Sequence, residues 1–363
     1  MPSYRFEKIV LLSDRDSIGL TEKIYSKLIA YSRTAGKIPG RLREFNPEEL
    51  EIRVANNNEI IPNIKTTVRG RHVYVIKSST VNQIYEPNTS LMEAFIIADA
   101  CIQASADRVT LVAPHLPYQR QDRRSTDKIT GAEKREPLSA KLTLRLLKES
   151  GYSGLITVDP HFDQYRSALP NDFQLETPTA RIAIANHIIK SGLLEKKVTV
   201  ISPDYGGGKR AEILAKDLGI TYGGLCRKQR EKPGIIGNMT VLPEEGITLS
   251  EYDFALILDD IIDSGGTLEK CYQALKAKEV KDIIVAAPHG IFTKGAQQRL
   301  LDTGIKLITT NAIPQVYDPR IEVIDLSTIL AVTIHCIATG HGSISRKLFN
   351  INEYRALEEK LSR

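Results

Sequence analysis

The sequence predicts an α/β protein of two tandem domains, each with a mainly parallel sheet flanked by helices. Three observations carry that reading. Short runs of Val, Ile and Leu recur without strict polar alternation, as strands buried on both faces require. Amphipathic stretches separate them, so strands and helices alternate. The chain has 363 residues, long for one domain, and RVTLVAPHLPY (108–118) and DIIVAAPHGIF (282–292) repeat Ala-Pro-His after an apolar run.

In chain order the expected strands are KIVLL (8–12), HVYVI (72–76), RVTLVA (108–113), GLITV (154–158), VTVIS (198–202), FALIL (254–258) and DIIVAA (282–287). Two helices are plain. PLSAKLTLRLL (137–147) repeats Leu138, Leu142 and Leu146 at spacing four, and LEKCYQALKAK (268–278) puts Leu268, Cys271 and Leu275 on one face. Pro178 separates a polar stretch from a new helical pattern, so the expected domains are 1–176 and 177–363. The stretches 31–43, 56–67 and 125–135 lack pattern and read as loops or insertions.

Composition narrows the function. Lys and Arg number 49 against 44 Asp and Glu, a formal charge of +5 that suits a protein handling anions. No long basic block or aromatic-basic array is present, so nucleic acid is not an expected partner. The four cysteines, at 101, 226, 271 and 336, have no CxxC spacing, which argues against a zinc site or a disulfide framework and for a reducing compartment. The start, MPSYRFEKIVLLSDRD, is too charged for a secretory leader, and no apolar run reaches about 18 residues. The expectation is a cytoplasmic protein with no membrane partner.

LILDDIIDSGGTL (256–268) is the most informative stretch. In an α/β sheet, ligands bind beyond the carboxyl ends of the strands. Asp259 and Asp260 stand at such an end, and carboxylates accept hydrogen bonds from a sugar diol. Gly265 and Gly266 leave backbone N–H groups free to close on an anion, and the following helix adds its positive N-terminal end. Asp263, Ser264 and Thr267 complete the loop. A helix-capping turn alone would use Asp263 or Ser264, but would not need two aspartates at the strand end. A phosphorylated pentose matches both halves of the loop. VISPDYGGGKRAEILAKDLG (200–219) repeats the design: Asp204 at a strand end, Gly206–Gly208, then Lys209 and Arg210 opening a helix with Gly219 at its close.

The aspartate-glycine stretch resembles the phosphoribosyl-diphosphate (PRPP) loop of type I phosphoribosyltransferases and of ribose-phosphate diphosphokinases, the PRPP synthetases. The rest of the chain resembles the latter family, with motifs in family order over most of 1–345. The resemblance implies two type I phosphoribosyltransferase-like domains, ATP and ribose 5-phosphate as substrates, Mg²⁺ as cofactor, and a homo-oligomer with nucleotide sites shared across subunits. It implies ATP contacts from Phe45 and Glu49 in REFNPEELEIRV and from Arg120 and Gln121 in LPYQRQDRR. It implies metal contacts from His161 in LITVDPHFDQ and from Asp204, and a diphosphate loop at Asp204, Gly206 and Gly207. Ribose 5-phosphate would meet Asp259, Asp260, Asp263, Ser264, Gly265, Gly266, Thr267 and Arg230. Lys228 and Arg230, in CRKQR, would neutralise the phosphoryl group in flight. Two positions depart from the family: Pro47, where an Asp or Asn is usual, and Lys209, where an apolar residue is usual. Other classes consistent with the loop are a PRPP-consuming phosphoribosyltransferase and a non-catalytic regulatory relative.

Overall fold

The computed structural model describes residues 8–35, 42–127, 130–161, 169, 172–228 and 239–361. It contains two main sheets. In the first, strands Ile9–Ser13, His72–Ile76, Arg108–Val112, Gly154–Ile156 and Gln174–Glu176 lie side by side in chain order, all parallel. In the second the order is Met239–Pro243, Thr221–Lys228, Val198–Ser202, Phe254–Leu258, Asp282–Ala286, Lys306–Thr310 and Ile321–Ile324. Only Met239–Pro243 runs antiparallel. Each expected apolar run forms a strand or most of one.

The ten α-helices of the described residues are α1 (Ile18–Thr34), α2 (Pro87–Gln103), α3 (Ser139–Glu149), α4 (Arg181–Lys190), α5 (Gly208–Leu218), α6 (Gly266–Lys276), α7 (Ala296–Asp302), α8 (Ser327–Thr339), α9 (Ile344–Leu348) and α10 (Ile351–Leu361). They sort with the sheets into three buried layers. Val10, Leu12, Val73, Ile97 and Leu144 fill the outer layer of the first sheet. Ile201, Ile257, Leu268, Cys271 and Leu300 fill that of the second. Between the sheets lies one common core. Ile9, Leu11 and Tyr74 from the first sheet join Val200 and Leu256 from the second through Ile24 and Leu28 of α1, Ile184 of α4 and Leu330 and Ile334 of α8. Helix α8 is buried on all sides, which explains why its sequence carries no polar stripe.

Four sequence expectations change. The stretch 56–67 is not a loop: Ile60–Ile64 pairs antiparallel with Leu50–Val54, and its half-exposed side chains and Pro62 hid the strand signal. The stretch 31–43 begins inside α1, which continues to Thr34. The apolar face of α3 is not Leu138, Leu142 and Leu146, which are 37%, 47% and 43% exposed. Ala140, Leu144 and Leu147 face the sheet instead. This segment carries two leucine stripes, and only tertiary contact chooses between them. The described part of 125–135 is irregular but holds one antiparallel bridge, Thr126–Glu133. Sequence reading also passed over the strands Gln174–Glu176, Thr221–Lys228, Met239–Pro243, Lys306–Thr310 and Ile321–Ile324.

The carboxyl ends of the two sheets differ. In the first, buried Lys77 sits between Asp14 (2.7 Å) and Glu93 (2.8 Å). Burial opposes the charge on Lys77, but the two carboxylates outweigh it and raise its pKa. Protein charges thus neutralise one another at this end, beside a small cavity of about 60 Å³ lined by Asp14, Asp16 and Glu93. The second sheet has a topological switch point: from Val198–Ser202 the chain goes to Thr221–Lys228 on one side, while Phe254–Leu258 lies on the other. Doubly wound sheets bind ligands at such a crevice.

Candidate active site

A cleft of about 240 Å³ opens at this switch point. It is lined by Arg120, His161, Asp204 and Lys228, by 259–261 and by 263–268. Residues from five separate stretches of sequence therefore converge, two of them from the first half of the chain.

The second half builds the floor. Phe254–Leu258 ends at Asp259, whose N–H bonds Ala286 O at 3.0 Å and fixes where the aspartates begin. The Asp260 N–H donates to Asp259 Oδ1 at 2.9 Å. Gly265 then takes φ +75°, a left-handed conformation that favours glycine. Helix α6 starts at Gly266, so its first N–H groups have no partner within the helix and are available to an anion. On the other side of the switch point, Asp204 Oδ1 accepts the Gly207 N–H at 2.9 Å and shapes the turn into α5. A Cβ on Gly207 would lie 2.8 Å from Ser202 Oγ, so any larger residue would have to displace the Ser202 hydroxyl from its bond to Asp204 O. Lys228 ends its strand exposed at the cleft wall.

The first half contributes a lid of charge. His161 Nδ1 donates to Asp260 Oδ2 at 2.6 Å, and its backbone N–H donates to the Oε1 of buried Gln119 at 2.9 Å. Arg120 pairs with Asp263, whose other oxygen accepts from Thr293 Oγ1 at 2.6 Å. Arg210 of α5 reaches the same Asp260 oxygen at 3.4 Å.

These contacts split the two adjacent aspartates. Burial, and next the neighbouring Asp260 charge, push Asp259 up to about 7. Burial also acts to raise Asp260, but hydrogen bonding from His161 and the charge of Arg210 outweigh it and hold that carboxyl well below the usual range. The Asp260 hydrogen bond in turn raises His161, against its burial. One carboxylate is thus held as an anion while its neighbour's hold on a proton is strengthened.

Among the expected site residues, Arg120, His161, Asp204, Lys228, Asp259, Asp260, Asp263, Ser264, Gly265, Gly266 and Thr267 line this one cleft. Gly206 and Gly207 adjoin it through Asp204. Arg230 lies outside the described residues. Phe45, Glu49 and Gln121 do not line the cleft. Phe45 packs half-buried against the common core. Glu49 is buried and pairs with Arg43 at 2.8 Å. Gln121 Oε1 accepts from Ser139 Oγ at 2.6 Å and so anchors the start of α3. Sequence reading missed the contacts of Gln119 and Arg210. Arg210, in the first turn of its helix after a glycine loop, gave a usable signal; Gln119 gave none.

Comparisons with known proteins point one way. Residues 9–151 match the family model described as the N-terminal domain of ribose phosphate pyrophosphokinase, and residues 174–319 match the phosphoribosyl transferase domain. Ribose-phosphate pyrophosphokinase of Aquifex aeolicus is 36% identical over 289 residues, 78% of this chain and 86% of that protein. The protein of that name from Fusobacterium nucleatum is 30% identical over 95% of this chain and 99% of its own. The crystal structure of phosphoribosylpyrophosphate synthetase from Mycobacterium smegmatis superposes with a TM-score of 0.76 at 27% identity, covering 92% of this chain and all of that one.

Proposed function

The chain belongs to the ribose-phosphate pyrophosphokinase family, and from that premise we propose how its cleft makes PRPP. The reaction transfers the diphosphoryl group of ATP to O1 of ribose 5-phosphate and releases AMP. The carrying observation is the convergence, at one switch point, of two strand-end aspartates, a glycine-opened helix terminus and cations from both halves of the chain.

Ribose 5-phosphate lies along the 259–267 loop. Asp259 and Asp260 accept from its hydroxyls, and the N–H groups opening α6 hold its phosphate. The diphosphate faces the Asp204–Gly207 turn. The anomeric hydroxyl attacks the β-phosphorus in line: the O1–phosphorus bond forms, the bond from the β-phosphorus to the α,β-bridging oxygen breaks, AMP leaves with that oxygen, and the O1 proton is released to solvent. Lys228, with Arg230, neutralises the charge spreading over the transferred group. Positioning does the rest, without a covalent intermediate.

The donor set fits Mg²⁺ in a particular way. Among the described residues, no three His, Cys, Asp or Glu side chains gather closely enough to hold an ion alone. Mg²⁺ commonly binds through one or two carboxylates, waters and substrate phosphates. Asp204, with His161 lining the same cleft, suits that role once the triphosphate is present. The ion would then polarise the phosphoryl oxygens.

Phe45 and Glu49 do not line the cleft that contains Arg120. The reading is therefore that a neighbouring copy of the chain brings them to the adenine of a nucleotide whose phosphates meet Arg120. We divide the domains at 176/177, a reading supported by the end of the last strand of the first sheet at Glu176.

Phosphorus NMR of the purified protein with ATP, Mg²⁺ and ribose 5-phosphate tests this directly. AMP together with a C1 diphosphate ester is expected. ADP with a monophosphorylated product would refute it.

A further inference from the structure

Helix α7 lies behind the ribose 5-phosphate loop, outside the cleft, and three contacts tie the two together. Arg299 of α7 donates from Nη2 to Ser264 O at 2.6 Å. Its Nη1 donates to Lys294 O, and its Nε meets Glu269 Oε1 of α6 at 3.1 Å. Gly265, the next residue of the loop, rests directly on α7: a Cβ there would lie 3.2 Å from Leu300 and 3.4 Å from Ala296. Thr293, just before the helix, holds Asp263 at 2.6 Å.

An anion loop works only if its N–H groups face the ligand and its carbonyls face away. The Ser264 carbonyl is the critical one, since it precedes the turn whose N–H groups open α6. Its partner is a guanidinium that does not itself line the cleft. We propose that Arg299 is a positioning residue for ribose 5-phosphate: it draws the Ser264 carbonyl backward and so presents the 265–267 N–H groups to the 5-phosphate. Glu269 keeps the guanidinium in that orientation, and a planar donor fork is what lets one side chain serve two carbonyls and a carboxylate at once. The inference rests on the assignment of 263–267 to the 5-phosphate.

Calorimetric titration of ribose 5-phosphate into wild type, Arg299→Ala and Arg299→Lys tests it, alongside the KM for ATP and the melting temperature. A charge-assisted hydrogen bond of this kind corresponds to a Kd rise of about tenfold in Arg299→Ala. Partial recovery in Arg299→Lys is expected, with the ATP KM unchanged. The side chain is 44% exposed, so the melting temperature should hardly move. Equal Kd values would overturn the proposal. So would a loss matched by the ATP KM and the melting temperature, which would mark a merely structural role. A wild type that binds ribose 5-phosphate without forming AMP would instead refute the assigned reaction, leaving the Kd comparison readable.

Discussion

At the scale of single residues, the site works by giving like groups unlike surroundings. Asp259 and Asp260 are neighbours in sequence, yet only Asp260 receives His161 and Arg210. Their opposite shifts follow from that asymmetry. Lys228 differs from all of these: it lines the cleft, exposed at the end of a strand, with no ion-pair partner among the described residues. A cation so placed is available to charge that develops on a substrate. Lys228→Ala is therefore expected to lower kcat by about a thousandfold, the scale of losing one strong electrostatic donor to a transition state. Ribose 5-phosphate affinity should stay within about twofold, because the sugar loop is built elsewhere. Single-turnover kinetics and calorimetry on the same preparation separate the two effects, and unchanged turnover would remove Lys228 from the mechanism.

At the scale of elements, the sequence was most legible where burial is complete. Runs such as Val198–Ser202 and Phe254–Leu258 are buried along almost their whole length, so hydrophobicity alone marks them. Ile60–Ile64 is half exposed and carries Pro62, and neither period nor propensity reveals it. Helix α3 shows a different limit. Its two leucine stripes are equivalent in sequence, and packing against the first sheet's outer layer decides between them. The loops of the cleft were legible because their chemistry is local: aspartates at a strand end, glycines, then a helix start. Contacts between distant loops, such as His161 with Asp260, came only with the fold. Helix α3 offers a direct check. Leu144→Ala removes a side chain only 1% exposed and should cost about 2–4 kcal/mol in urea unfolding. Leu142→Ala, at a position 47% exposed, should stay within about 0.5 kcal/mol of wild type. The reverse ranking would mean that α3 docks through its other face.

At the scale of the whole molecule, the two halves are joined by a common core and by a pair of histidines. The repeated Ala-Pro-His segments bring His115 and His289 edge to face at 4.9 Å, both buried. His115 Nδ1 bonds Ser79 Oγ at 2.8 Å, while His289 Nε2 donates to Val158 O at 2.9 Å. Burial lowers both, and their mutual repulsion lowers His115 further, well below 6.5. The unfolded chain then binds more protons than the folded one below about pH 6.5. Stability from this pair is present above that pH and is lost as the pH falls. His115→Phe should flatten the decline between about pH 6.5 and 5 in urea unfolding, and an unchanged slope would place the acid sensitivity elsewhere. The cleft raises the larger question of how many chains one nucleotide needs. Phe45 and Glu49 do not line it, although Arg120 does. If a neighbouring copy completes the adenine site, a catalytic centre needs Lys228 from one chain and Phe45 from another. Lys228→Ala and Phe45→Ala chains, each silent at low ATP, should then regain activity when co-expressed. Random pairing in a symmetric oligomer leaves about one site in four with both residues intact, so recovery of up to about a quarter of wild-type turnover is expected. Within a single-chain site, mixing restores nothing beyond the average of the parents, and that result would assign Phe45 to the core alone.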